Sequence, residues 1–321
     1  MNTFGRKFRV SVFGESHGEA VGVLLDGVPA GVSLSEADFA ADLERRSPHG
    51  PYTTARRESD IPIFQSGVYE GRTTGAPLCI AFRNGNANSS DYEFLPSVPR
   101  PGHADYAALQ KFGANVDLRG GGQFSGRMTV AIVAAGVVAK KLLPSEFKIN
   151  AGVKRLGGSD DPSKWEELLK AASADGDSLG AVVECRVEGL RAGLGEPFWD
   201  SVESMISHAV FSIPGVRGIE FGDGFVASDM RGSGHNDPIG PEGPLTNHAG
   251  GVNGGMSNGT PLVFRVAFKP TSSISKLQKT YDFAAGKQTE LSIKGRHDVC
   301  FALRTPVIVE AMAAIVLYDL L

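Results

Sequence analysis

The sequence predicts an α+β protein built as one domain. Period-two apolar patterns recur in the first ninety residues and again after residue 180, as half-buried strands require. Two Ala/Val-rich stretches, residues 125–143 and 305–321, are apolar over most of a helical surface, which places them inside a core. The 321 residues are 41% hydrophobic, enough for one large core or two moderate ones, and no Pro/Ser linker divides them.

Taken in order, Phe8, Val10 and Val12 alternate with Arg9 and Ser11, the mark of a strand. Residues 20–31 are β-branched, punctuated by glycine and closed by a Val-Pro-Ala-Gly turn, so they read as a second strand. Ser35 reads as the N-cap of a helix with Glu36 and Asp38 in its first turn and Arg45-Arg46 in its last, ended by Pro48-His49-Gly50-Pro51. Short strands are expected within residues 60–82, then a polar, Pro-rich loop over 84–102 that is long enough to carry function. The buried helix 125–143 is followed by a polar insert with a helix near 165–172. A strand over 182–188, a helix over 199–210, a strand and turn over 216–225 and a strand over 262–268 precede the closing buried helix. Ser125-Gly126-Arg127 and Leu303-Arg304-Thr305 each set an arginine before an Ala/Val-rich helix that ends in Leu-Leu, the pattern of two related halves sharing a helical core.

Composition narrows the function. Forty-one glycines are about 13% of the chain, nearly twice the ordinary ~7%, and without a collagen-like period they imply many turns and close backbone approaches to a ligand. Cys79, Cys185 and Cys300 are far apart and odd in number, which argues for a reducing compartment and against a disulfide or metal framework. The amino end lacks the apolar core of a signal peptide, and the longest apolar run, residues 130–139, is too short to span a bilayer. A cytoplasmic protein is expected. The formal net charge of −4 gives no reason to expect nucleic acid.

Gly14-Glu15-Ser16-His17-Gly18 can be read in two ways. As G-x-S-x-G it matches the nucleophile elbow of a serine hydrolase, with Ser16 as nucleophile. As a Ser-His pair fixed by two glycines, it can deliver a proton to a bound ligand. The elbow needs a helix after its serine, whereas the residues that follow read as a strand. Neighbouring side chains in an extended segment also point apart, so Ser16 and His17 are poorly placed to serve each other.

Four other clusters are richer than loops need to be. Pro99-Arg100-Pro101-Gly102-His103-Ala104-Asp105-Tyr106 offers a histidine on a stiff backbone, able to titrate near neutrality. Arg119-Gly120-Gly121-Gly122-Gln123-Phe124-Ser125-Gly126-Arg127 runs three glycines into a helix start, which makes an anion site from backbone N–H groups and an arginine fork. It has neither the Gly-Lys-Ser/Thr of a Walker loop nor a dinucleotide fingerprint. Lys269-Pro270-Thr271-Ser272-Ser273-Ile274 supplies an ammonium and three hydroxyls, and Lys294-Gly295-Arg296-His297-Asp298, with Arg304 beyond, supplies cations and a carboxylate. His49, His208 and His235 read as solvated histidines, His248 as a loop residue and the cysteines as buried and inert. Together the clusters point to a site for polyanionic ligands with histidines for proton transfer.

At these residues the chain resembles the chorismate synthases. Gly14 to Gly18 continuing to Asp26-Gly27-Val28-Pro29, Gly122 with Ser125-Gly126-Arg127-Met128-Thr129, and Arg296-His297-Asp298 continuing to Glu310-Ala311-Met312 match that family's signatures in order. The resemblance implies a single-domain β-α-β sandwich with central helices between antiparallel sheets, assembled as a homotetramer. It implies a lyase that converts 5-enolpyruvylshikimate 3-phosphate to chorismate by 1,4-anti elimination. Reduced FMN is required without net redox change, with NADPH as an external reductant. It also implies roles: His17 assists the departing phosphate, His103 protonates the reduced flavin, and Ser16 and Asp298 relay the substrate proton. Gln123, Phe124, Ser125, Gly254, Lys269, Pro270, Thr271, Ser272, Ser273 and Arg296 would hold FMN, and Arg46, Arg127 and Arg304 the substrate.

The chain departs from the family pattern in places. Gln123-Phe124-Ser125 stands where Arg-Ser-Ser is frequent, Pro51 where an arginine precedes Tyr52, and Val299 where a proline follows Arg-His-Asp. Arg56 or Arg57 can replace the arginine lost at Pro51. The rival readings are a serine hydrolase using Ser16, a flavin- or phosphate-binding protein without elimination activity, and an NADPH-dependent flavin reductase.

Overall fold

The computed structural model describes residues 2–54, 56–85, 94–293 and 297–321. Seven helices occur among them: α1 (Ala37–Arg46), α2 (Asp105–Phe112), α3 (Thr129–Leu142), α4 (Trp165–Ala174), α5 (Val202–Val210), α6 (Gly232–His235) and α7 (Pro306–Leu320). Two antiparallel sheets enclose α3 and α7. The first has the order Thr3–Phe4, Arg9–Gly14, Ala20–Asp26, Leu78–Arg83, Ile63–Ser66, and the second Val216–Phe221, Leu262–Phe268, Ala181–Glu188, Lys148–Leu156.

Helix α3 packs on the strands Ala20–Asp26 and Leu78–Arg83, α7 packs on Lys148–Leu156 and Ala181–Glu188, and the two helices pack on each other. This is the expected β-α-β sandwich. It also gives physical form to the two sequence halves, since each sheet covers one arginine-led helix. The helices can touch because Gly136 has no side chain: a β-carbon there would lie 2.3 Å from that of Ala311. Both helices are buried along almost their whole length, so they lack the one-sided pattern of surface helices.

Several boundaries differ from expectation for local reasons. Helix α1 starts at Ala37, with Glu36 at the N-cap position. Ser35 lies one residue earlier, where its N–H and hydroxyl donate to Asp38 Oδ2 at 2.7 and 3.1 Å. The helix expected from residue 199 begins at Val202, because Ser201 accepts from the Ser204 N–H and caps it. A 3₁₀ turn, Gly126–Met128, precedes α3, and the Ser125 hydroxyl caps that turn. The strand Lys148–Leu156 was hidden in the polar insert. Its Ile149, Ala151 and Val153 do alternate, but between exposed polar residues on a strand at the sheet edge. A hairpin, Gln278–Asp282 with Lys287–Leu291, was also unforeseen, since it is polar and half exposed.

Candidate active site

Gly14 to Gly18 is a strand-to-strand connection. The strand Arg9–Gly14 pairs with Ala20–Asp26 in antiparallel register, with Gly14 opposite Val21. No helix follows Ser16, so the elbow is absent, as the sequence indicated. Ser16 is fully buried; its Oγ accepts from Arg56 Nη1 at 2.8 Å and its carbonyl from Arg56 Nη2 at 2.9 Å. Its N–H reaches Gly122 O at 3.2 Å and so ties the loop to the glycine run.

The glycine run brings two histidines distant in sequence to neighbouring positions. Gly120, Gly121 and Gly122 have φ of 58°, 88° and 52°, the left-handed region that glycine enters without penalty. A β-carbon on Gly120 would stand 2.5 Å from both Cδ2 and Nε2 of His17. One on Gly121 would stand 3.4 Å from Cε1 and 3.5 Å from Nε2 of His103. Consecutive glycines therefore receive the two histidine rings. Burial lowers the His17 pKa, and the charges of Arg56 and Arg119 lower it further.

On the His103 side, Asp105 is completely buried and binds both Arg100 and the His103 ring, with Nδ1 2.6 Å from Oδ1. Burial disfavours its charge, yet the bonds from Arg100 and His103 prevail and hold its carboxyl well below the usual range. Arg100 Nη1 also donates to Ser273 Oγ at 3.3 Å. Lys269 Nζ and Ser272 Oγ donate to Gly102 O at 2.5 and 2.8 Å, so the Lys269-Pro270-Thr271-Ser272-Ser273 segment is fastened beside His103. Burial lowers the Lys269 pKa, with Arg217 adding to the effect. Thr271 Oγ1 is buried without a hydrogen-bond partner among the described residues.

The third part is cationic. Arg46 and Arg127 both pair with Asp60 across its two oxygens, and Arg127 Nε donates to Asn84 Oδ1 at 2.9 Å. Asn84 in turn donates to Glu15 O and Gly18 O, linking this cluster to the His17 loop. Arg304 Nη2 pairs with Asp298 at 2.8 Å, and Thr54 N donates to the same carboxylate. The three arginines share two carboxylates and keep a net positive charge. Burial, with the repulsion of Arg304 and Arg127, brings the Arg46 pKa down to about 10, and its Nε has no partner among the described residues. Asp298 also borders a cavity of about 150 Å³ with Ser273, Thr53 and His297.

Most of the residues read from the sequence thus come together: Ser16, His17, His103, Arg46, Arg127, Asp298, Arg304 and residues 269–273. Gln123 points elsewhere, into an apolar cavity of about 250 Å³ with Met128, Ile132 and Met312. Phe124 packs its ring against the small cluster of Leu95, Ala108 and Leu118. Gly254 turns the hairpin of Val252–Asn253 and Met256–Ser257, next to Val202 and Leu194. Arg296 lies outside the described residues, as does much of the 84–102 loop. Asp60 was missed as a site residue, because an isolated carboxylate carries no motif, and Asp105 was given no role although it lies in the 99–106 cluster. Arg56, considered only as a substitute for a missing arginine, is the residue that binds Ser16.

Residues 8–321 match the family model described as chorismate synthase. A chorismate synthase of Chitinophaga pinensis is 56% identical over 321 residues, covering 99% of this chain and 96% of that one. One from Sulfolobus acidocaldarius is 45% identical, covering 99% and 89%. A crystal structure of a chorismate synthase superposes with a TM-score of 0.74 at 28% identity, covering 99% of this chain and 92% of the other.

Proposed function

The chain belongs to the chorismate synthase family, and on that footing we propose that it removes phosphate and a proton from 5-enolpyruvylshikimate 3-phosphate by 1,4-anti elimination, as a carbon–oxygen lyase with reduced FMN bound beside the substrate. The observation that carries this reading is the seating of His17 and His103 on consecutive glycines, within loops that also gather three buried arginines. A substrate with a phosphate and two carboxylates needs several fixed cations, and proton transfer to or from it needs groups that titrate near neutrality.

The residues present fit a flavin phosphate. Lys269 and Ser272 offer an ammonium and a hydroxyl, and the buried Thr271 Oγ1 has no hydrogen-bond partner among the described residues. Ser125 and Ser273 would add hydroxyls, with the backbone of Gln123 and Phe124 beside them. Bound reduced flavin would supply electron density to the substrate as its phosphate leaves.

The protein's own groups then have definable tasks. Burial, and after it the charges of Arg56 and Arg119, favour the neutral form of His17 in the resting protein. An arriving phosphate offsets those cations and so favours the protonated form, from which His17 can give a proton to the departing oxygen. Arg46, Arg127 and Arg304 hold carboxylates without having to be ordered first, because Asp60 and Asp298 already fix them. Ser16 Oγ accepts from Arg56 and keeps its own hydrogen for donation, which suits a relay with Asp298. Assembly as a cytoplasmic homotetramer belongs to the same reading. An interface between copies is supported by Phe198, Trp199 and Phe225, each more than four-fifths exposed.

The test is anaerobic incubation of the protein with 5-enolpyruvylshikimate 3-phosphate, with and without chemically reduced FMN, following chorismate and phosphate. Product only with reduced FMN is expected; none under either condition overturns the reading. Product from oxidised FMN and NADPH alone would instead place a reductase in the chain. His17→Ala and His103→Ala should each lose about 10²-fold or more in turnover.

A further inference from the structure

We infer that Asp105 is the positioning residue for His103: its buried carboxylate keeps hydrogen on Nδ1 and so assigns proton transfer to Nε2, at the ring edge seated on Gly121. The inference rests on the proposed use of His103 as a proton-transfer group. Asp105 opens α2, but its oxygens serve other partners than the helix. Oδ2 accepts from Arg100 N at 3.0 Å and from Arg100 Nε at 2.7 Å. Oδ1 accepts from Arg100 Nη2 at 2.8 Å and from His103 Nδ1 at 2.6 Å.

An ionised carboxylate can only accept, so the Nδ1 contact requires hydrogen on Nδ1. Arg100 Nη2 also lies 3.1 Å from Nδ1. It is a donor facing a donor, brought there because both groups converge on Oδ1, so it makes no bond to the ring. With Nδ1 committed, Nε2 is the nitrogen that gains and loses a proton, and it sits at 3.5 Å from the β-carbon position of Gly121. Arg100 extends the restraint, since its Nη1 reaches Ser273. The ring is thus fixed relative to both the glycine run and residues 269–273. Orientation of a histidine by a third group in this way is a general device of proton-transfer sites.

Asp105→Asn separates this role from mere scaffolding. The amide has one acceptor oxygen, and the Oδ2 position faces two Arg100 donors, so its NH₂ falls toward Nδ1. That arrangement favours the opposite tautomer, with hydrogen on Nε2. The measurement is ¹⁵N NMR of histidine-labelled protein at a pH where His103 is neutral, together with steady-state kinetics. The expected wild-type spectrum has hydrogen on Nδ1. The variant should shift toward Nε2–H and lose about 10²- to 10⁴-fold in kcat with little change in substrate KM. Hydrogen on Nε2 in the wild type, or wild-type kcat in the variant, overturns the inference. If the variant does not fold, the wild-type spectrum decides by itself. If wild type makes no chorismate with reduced FMN, the functional reading fails while the spectrum still reports on the dyad.

Discussion

The His17 ring occupies the space that a side chain on Gly120 would need, with Cδ2 and Nε2 both 2.5 Å from the β-carbon position. The glycine run is therefore a mould for the His17 ring. Its conformation and the position of His17 cannot be changed separately.

Gly120→Ala should accordingly be inactive before it is unfolded. The residue has φ +58°, where alanine costs about 1 kcal/mol, and displacing His17 adds to that. A fall of about 10²-fold in kcat is expected, with a Tm drop of only several degrees by calorimetry. Unchanged turnover would refute the close fit.

Arg56 should control the titration of His17. Burial is the largest cause of the lowered His17 pKa, and the Arg56 charge comes next, so Arg56→Gln should raise the midpoint without restoring it fully. Inorganic phosphate should raise it in wild type by the same electrostatic route. Both shifts can be read by NMR titration of the His17 ring, and a midpoint unmoved by either change would refute the coupling.

At the centre of the fold, Gly136→Ala sets two effects against each other. Alanine gains about 1 kcal/mol of helix propensity over glycine. Its β-carbon, however, would meet Ala311 at 2.3 Å, and overpacking of a core helix pair costs about 1–3 kcal/mol. Net destabilisation is expected in chemical denaturation, and more from Gly136→Val; a stabilised Gly136→Ala would show that the helices separate freely.

Asp319 joins the two ends of the chain. Its Oδ1 accepts from the N–H groups of Arg6, Lys7 and Phe8 at 2.8, 2.8 and 2.9 Å. Asp319→Ala leaves these donors unmatched in a largely buried place, at about 1–3 kcal/mol. Hydrogen exchange should then quicken at the Phe8 amide relative to the strand Ala20–Asp26; equal protection in the variant would argue against the clamp.

How much was legible in the sequence differs between residues. His17 and His103 could be found because each lies in a short segment stiffened by glycine or proline, and such stiffening is a local property. The buried helices α3 and α7 were equally legible, since a stretch apolar on every side has nowhere to go but the core. Lys148–Leu156 was not, because an edge strand with one packed face resembles a polar loop in composition. Asp60 is the clearest loss. It binds Arg46 and Arg127, yet it stands in an unremarkable Ser-Asp-Ile context, and its value depends on a partner 67 residues away.

The sequence by itself determined the chemical inventory: a glycine run, two histidines in fixed loops, and arginines set before buried helices. It also carried the family, through signatures spread over nearly the whole chain. Only the tertiary structure decided which charges neutralise one another. Asp60 binds Arg46 and Arg127, Asp298 binds Arg304, and Asp105 holds His103. The reason is that a residue's type is written locally, whereas the field and hydrogen bonds it experiences are set by segments brought beside it when the sheets close over α3 and α7.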